Sequence, residues 1–239
     1  MKRPSLVLGI ETSSRVVSVA LLRDGIPSSS CERVTLQPRA DDLRALVEGV
    51  LTDARATLDE LTGIALSIGP GSFTGLRIGA SFVKGLALGT SLPVVSVPTL
   101  DAIAHNVWGA RGTIIVLLDA KQHKVYAAAY QWQGERLNKL SRGCLETIAS
   151  LHPWLKRGTL FLGDGVEAYA ATLRRRLTRR LVIAPRELWW PRAVTVARLG
   201  AAALARGRHV DPKTLTPVYL YPSDCSIKRP LETGCRDAE

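Results

Sequence analysis

The sequence predicts an α/β chain built as two copies of one lobe, the second copy reduced. Three observations predict it. The hydrophobic period switches repeatedly between two and 3.6 residues, as it does where strands and helices alternate. The order strand-strand-strand-helix-strand-helix starts near residue 5 and again near residue 113. An acid closes the first strand of each copy: Glu11 aligns with Asp119, and Val17 with Val125, six residues on in each case. The expected division is into lobes 1–110 and 111–239.

Residues 5–11 and 16–22 alternate or run apolar and read as a hairpin across Thr12-Ser13-Ser14-Arg15, with a third strand after Asp24-Gly25 at about 26–36. Over 38–58 the period changes, and Leu43, Leu46, Val47, Val50, Leu51 and Ala54 share one helix face. Pro38 suits the helix start, and Asp41 and Asp42 suit the positive end of its dipole. A strand at about 62–68 leads into Gly69-Pro70-Gly71 and then a helix over 74–89, capped by Ser72 or Thr74. A strand near 93–97 and a helix from Pro98-Thr99 to about Trp108 complete the first copy. The second copy gives strands at 113–119, 124–132 and 135–142, a helix near 145–155, a strand at 159–163 and a helix from Glu167. Beyond Asp211 the tail is proline-rich and expected to be extended. Two such lobes, each with an acid at the tip of its first strand, describe the actin/Hsp70/sugar-kinase (ASKHA) architecture.

The helix over 74–89 is the unusual element. It contains Gly75, Gly79, Gly85 and Gly89, and each interior glycine costs about 1 kcal/mol against alanine. Gly75, Gly79, Phe82, Leu86 and Gly89 share a face, with Arg77 and Lys84 nearly opposite. Such a face lets another backbone approach, either inside the domain or from another subunit. Phosphate binding ranks behind packing, because the spacing fits neither G-x-x-x-x-G-K-[ST] nor G-x-G-x-x-G.

Composition narrows the functional classes. No run of eighteen apolar residues occurs, so no membrane span is expected, and the N-terminus does not read as a signal peptide. Cys31, Cys144, Cys225 and Cys235 lie far apart without a C-x-x-C pair, which points to free thiols in a reducing cytoplasm. The net charge is +11, and all the excess lies in residues 120–239, with 21 Lys/Arg against 10 Asp/Glu. That asymmetry fits a nucleic-acid-facing lobe or simply an arginine-rich composition, since 24 of the 32 basic residues are arginine. Arg174, Arg175, Arg176, Arg179 and Arg180 form the densest basic cluster, a candidate nucleic-acid contact or a solvated helix end. The histidines His105, His123, His152 and His209 form no H-E-x-x-H or i, i+4 pair, so no metal site is expected.

The string GPGSFTGLRIG at 69–79 resembles the signature of the TsaB (YeaZ) family, partners in making the threonylcarbamoyl modification of the adenosine beside the tRNA anticodon. The resemblance continues through LGIETSSRVVSVALLRDG, LPVVSVPTLDAIA, LLDAKQHKVYAAAY and PVYL, covering nearly the whole chain in order. It implies the actin-like fold and a non-catalytic subunit that supports a TsaD-like catalytic partner, with a TsaE-like ATPase and tRNA joining through the complex. It also implies a homodimer when the chain is alone, with Leu43, Leu46, Val47, Val50, Gly75, Gly79, Phe82 and Leu86 at a four-helix interface. No cofactor is expected in this chain alone; ATP or ADP with Mg²⁺ is expected only in the assembled complex.

In active members of the architecture two hairpin loops hold the phosphates. The matching positions here are Glu11, Thr12, Ser13 and Ser14, then Asp119 and Lys121, and neither loop has a glycine to let backbone approach phosphate. They are read as remnants. Three features depart from the family's pattern: Glu11 for the more usual aspartate, no histidine on the helix beginning RADDLRALVEGV, and Tyr221 for the arginine after Leu220. No nucleophile-elbow or papain-like string supports the old suggestion of protease activity. The competing readings are a small ATPase or sugar-kinase-like enzyme using Asp119, and a stand-alone RNA-binding module.

Overall fold

The computed structural model describes residues 4–35, 39–141, 143–151, 158–176 and 181–219. It divides into two compact units, residues 1–102 with 191–218, and residues 103–190 with the segment from 219. The division therefore differs from a single cut at 110, because residues 191–218 belong with the first unit.

The first unit begins with β1 (Leu6–Glu11), β2 (Val16–Arg23), β3 (Ile26–Val34), α1 (Ala40–Asp53), β4 (Gly63–Ser67), α2 (Phe73–Thr90), β5 (Val94–Val97) and α3 (Thr99–Ala104). Its sheet runs β3-β2-β1-β4-β5, with β1, β2 and β3 antiparallel and β4 and β5 added parallel to β1. β1 and β4 are buried along their whole length, so they read as apolar runs rather than alternations. α1 buries Leu43, Leu46, Val47, Val50 and Leu51, each worth roughly 1.5–3 kcal/mol against exposure. Ser72 caps α2, its hydroxyl accepting from Gly75 N–H at 3.2 Å.

The second unit repeats the plan with β6 (Ile114–Asp119), β7 (Lys124–Gln133), β8 (Arg136–Lys139), β9 (Cys144–Thr147), β10 (Leu160–Leu162), α4 (Gly165–Ala168), α5 (Ala170–Arg176) and β11 (Val182–Ile183). Its sheet runs β11-β10-β6-β7-β8, the same path as β5-β4-β1-β2-β3. The helix expected near 145–155 is corrected to β9 and a turn, with residues 152–157 outside those described. The reason is backbone pairing. β8 covers only Tyr130–Gln133, leaving the edge of Lys124–Ala127 open, and Cys144–Thr147 pairs there.

One helix returns to the first unit: α6 (Ala193–Leu204), which presses Ala193, Ala197 and Gly200 onto the sheet face opposite α1 and α2. An alanine added at Gly9 would place its Cβ 2.4 Å from the Ala193 carbonyl oxygen, and one at Gly200 would meet Ala65 at 2.3 Å. Periodicity does not single out α6, although Ala193, Val196, Ala197 and Gly200 follow helical spacing two residues after Pro191. Beyond Asp211 a short 3₁₀ turn, Pro212–Thr214, precedes irregular chain to 219; Leu220, Tyr221, Cys225 and Cys235 lie outside the described residues.

Candidate functional site

The first hairpin loop, Thr12–Arg15, sits under the N-terminal turns of α2. Ser72 N–H donates to the Ser13 carbonyl at 2.7 Å. A Cβ at Gly71 would lie 2.3 Å from the Ser13 carbonyl oxygen, and one at Gly75 2.0 Å from that of Thr12. At Gly79 it would meet the Thr12 hydroxyl at 2.3 Å. These glycines exist because the loop backbone occupies the space of their missing side chains. The same contact gives the helix end a backbone acceptor from its own chain, where an anion would otherwise be stabilised.

Under that clamp Glu11 is fully buried. The Ser13 backbone N–H and hydroxyl both donate to its Oε1, at 2.5 and 2.6 Å. Its Oε2 has no partner, nor do the buried hydroxyls of Thr12 and Ser67. Burial pushes the carboxyl up to about 7, the Ser13 bonds offsetting only part of the desolvation. A buried carboxyl with one oxygen unpaired contributes a proton-binding group but no surface for a substrate.

The second loop differs. Asp119 is only partly buried; its Oδ2 takes the Lys121 ammonium at 2.6 Å, and its Oδ1 accepts the Lys121 N–H at 2.9 Å. Tyr169 approaches the same oxygen at 3.4 Å, and Asp164 accepts the Asp119 N–H at 2.9 Å. Burial raises the Asp119 carboxyl, but Lys121 and Tyr169 more than offset it and hold it below the usual value. The structure thus brings Asp119, Lys121, Asp164 and Tyr169 together, of which the sequence singles out the first two. Asp164 and Tyr169 are legible only as the G-D-G-V turn after β10 and the helix behind it.

The expected interface residues are placed elsewhere than expected. Leu43, Leu46, Val47, Val50, Gly75 and Gly79 are buried within the first unit, and Phe82 and Leu86 pack partly against its core. The six buried residues close the chain's own sheet, while Phe82 and Leu86 stay partly exposed at its edge. The glycines divide. Gly49, Gly85 and Gly89 have nothing within 4 Å of an added Cβ and lie exposed. In the basic cluster, Arg174 and Arg175 are exposed on α5, Arg176 ends that helix, and Arg179 and Arg180 lie outside the described residues. Trp189 is packed, its indole N–H donating to the Ala184 carbonyl at 2.8 Å. Neither Cys31 nor Cys144 is in a disulfide. Among the described residues no three His, Cys, Asp or Glu side chains converge where a metal could be held, and no helix is long and apolar enough to cross a membrane.

Two lobes with one strand path, each carrying a hairpin loop with an acid at the first strand's end, define a two-lobed α/β protein of the actin-like class. Residues 37–223 match the family model described as TsaD, tRNA N6-adenosine threonylcarbamoyltransferase. The chain is 32% identical to the tRNA threonylcarbamoyladenosine biosynthesis protein TsaB of Escherichia coli, over 90% of this chain and 94% of that one. The protein of the same name from Bacillus subtilis is 29% identical, over 93% and 96% of the two chains. Among solved structures, YeaZ from Pseudomonas aeruginosa superposes with a TM-score of 0.75 at 29% identity, covering 90% of this chain and all of that one. A second structure, described as similar to the peptidase YeaZ from P. aeruginosa, gives a TM-score of 0.80 at 30% identity over 91% of this chain and all of that one. The chain belongs to the TsaB (YeaZ) family.

Proposed function

We propose that this chain serves the biosynthesis of threonylcarbamoyladenosine in tRNA as a non-catalytic subunit that binds and supports a TsaD-like catalytic subunit. The observation that carries this is the different use of the glycines along one helix, crowded in its first turns and open in its last. Gly75 and Gly79 close α2 over the loop where an active relative of this architecture would hold phosphate. Gly85 and Gly89 sit exposed on the same helix with open space before them, at a propensity cost that nothing within the unit explains.

The partner surface is then the outer face of α1 and α2. Ala45 and Gly49 on α1, and Ser81, Gly85 and Gly89 on α2, repeat small exposed residues every fourth position, and Leu88 stands beside them 57% exposed. Small residues at this spacing let a second helix pair pack with its backbones close. The chain alone would dimerise through the same face, and the TsaD-like subunit would displace one copy; a TsaE-like ATPase and tRNA would join the heterodimer. The buried residues Leu43, Leu46, Val47 and Val50 act from behind, fixing α1 on the sheet.

Gly85→Arg tests this directly. With open space at its Cβ, the variant should keep the parent's circular dichroism and melting temperature. It should lose dimer mass in light scattering and bind the TsaD-like subunit at least about 30-fold more weakly, since an unpaired buried arginine costs several kcal/mol. Parent-like mass and affinity would overturn the assignment of this face. Separately, the isolated chain should show no ATP turnover; turnover abolished by Asp119→Ala would favour the ATPase reading instead.

A further inference from the structure

The second unit exposes an aromatic surface that neither loop nor helix face uses. Trp108 follows the 3₁₀ turn His105–Val107 and is 64% exposed, unlike the packed Trp189. Its ring meets Trp132 of β7 at 4.6 Å between centroids with 57° between planes. Trp132 is held in turn: its indole N–H donates to the Val107 carbonyl at 2.9 Å, and the His105 ring stands edge-on to it at 5.5 Å and 85°. Trp108 is therefore presented on a fixed backing and leaves most of its surface to solvent.

Cationic residues follow on the same stretch of chain and on the same sheet face. Arg111 is exposed three residues along the same turn. Lys139 pairs with Tyr130 across β7 and β8 as Leu137 pairs with Trp132, so Lys139 lies on Trp132's face of the sheet, with its ammonium 5.6 Å from the Tyr130 ring centre. Arg136 pairs with Gln133 and so belongs to the other face of the sheet, and the hairpin turn carries one acid, Glu135. Residues 103–190 as a whole carry 14 Lys/Arg against 6 Asp/Glu, a net charge of +8. An aromatic face amid cations has the chemistry of a base platform on a phosphate-binding surface.

We propose that Trp108, backed by Trp132, stacks an unpaired base of a nucleic-acid strand, with Arg111 and Lys139 neutralising neighbouring phosphates. This deepens the reading above and rests on it for the choice of RNA over DNA; the platform itself rests on the aromatic pair and the charge.

The test uses the intact isolated chain and an unstructured RNA of about 12 nucleotides, with the DNA of the same sequence and the RNA duplex as comparisons. Binding is read by labelled-RNA anisotropy and tryptophan emission at about 50 and 200 mM salt. The single strand should quench the emission and bind more tightly than the duplex, whose bases are already stacked. Trp108→Leu keeps an apolar side chain but removes the π face, and should weaken binding about fivefold to a hundredfold with an unchanged salt slope. Trp108→Phe should recover part of the loss, and Arg111→Ala should lower the salt slope by about one. DNA binding as tightly as RNA would leave the platform standing and overturn the choice of RNA. Parent-like RNA binding by Trp108→Leu, or no binding at the lower salt, would overturn the platform. If Trp108→Leu instead weakens association with the TsaD-like subunit and leaves RNA binding intact, the patch is a protein contact and the proposal fails. The Gly85→Arg experiment reads a different surface and partner, so either result can fail without the other.

Discussion

The two hairpin loops carry equivalent acids on equivalent strands, yet Glu11 is fully buried and Asp119 is partly exposed. What differs is where the following glycines press. In the first unit the residues after β4 carry the close approach to the loop itself, through Gly71 on Ser13 and Gly75 on Thr12. In the second unit Gly163 and Gly165 press one stage earlier, on Leu117 within β6, where a Cβ at Gly163 would lie 2.1 Å from the carbonyl oxygen. Loop 120–123 is left uncovered and tightens on itself instead. Ala120 N–H donates to the Lys124 carbonyl at 3.0 Å, and Lys121, Gln122 and His123 all take left-handed backbone, with φ of 63°, 50° and 59°. One duplicated hairpin thus becomes a sealed structural element in one copy and a surface turn in the other. The helix placed over it decides which.

The largest effect should come from breaking each clamp. Gly75→Ala sets a methyl against the Thr12 carbonyl and Gly163→Ala sets one against that of Leu117, the latter at a φ of 102°. Each should cost more than about 3 kcal/mol in urea unfolding, because backbone must move to admit the methyl. Gly85→Ala, on the same helix as Gly75 but facing open space, should instead stabilise the monomer by about 0.5–1 kcal/mol. Equal effects at Gly75 and Gly85 would remove the clamp from the account. This contrast also corrects the expectation that Gly79 lies in a subunit seam: Gly79→Arg would prevent folding rather than report on association.

Next in size is Glu11. Its folded pKa of about 7 lies above the ordinary value of 4.5, so between those values the folded state holds a proton that the unfolded state has lost. Stability should therefore fall as pH rises from about 4.5 to 7 and level off above, by an amount of order 3 kcal/mol. Glu11→Gln mimics the protonated form and should flatten that slope and raise stability at pH 8. An unchanged pH profile by chemical denaturation would mean that Glu11 is solvated. No such slope should come from Asp119, whose folded pKa is lowered: its contribution is present above the ordinary carboxylate range and is lost only as pH falls below it.

Much of this is legible in the sequence, and the boundary is physical. Strands β1, β2, β4 and β6 and helices α1 and α2 declare themselves through period and length, and the repeat sets the strand path of both sheets. The α1 face reads as a continuous apolar stripe, but a Leu/Val stripe serves its own sheet before it serves a partner, and that is where the structure puts it. Gly75 and Gly89 share a face by period yet one is crowded and the other open, because only the packed neighbour tells a glycine needed for room from one that leaves room. α6 escapes a repeat-based reading because its chain position lies in the second copy while its partners lie in the first. Glu11 and Asp119 align correctly, and nothing local to either says which is buried.

A smaller effect should separate the loops by their backbones. His123 is exposed with φ of 59°, a conformation costing an L-residue about 1 kcal/mol, whereas no residue of 12–15 has positive φ. His123→Gly should stabilise the second unit by about 0.5 kcal/mol or less, the relief being partly cancelled by the freer unfolded chain.

The smallest effect concerns the ion pair that the second loop has and the first lacks. The Lys121 side chain is 83% exposed, so its 2.6 Å contact with Asp119 is screened by water and salt and works against its own rotamer entropy. Lys121→Ala should change stability by less than about 0.5 kcal/mol, and less still at high salt. Its clearer signature is in titration. Losing the ammonium removes an opposing charge and a hydrogen bond, so the Asp119 carboxyl should titrate at higher pH in a carboxylate-resolved NMR series, while Glu11 stays where it was. A large loss of stability would show that the turn depends on this pair, and the second loop would then be held by its own internal contacts no less firmly than the first is held by α2.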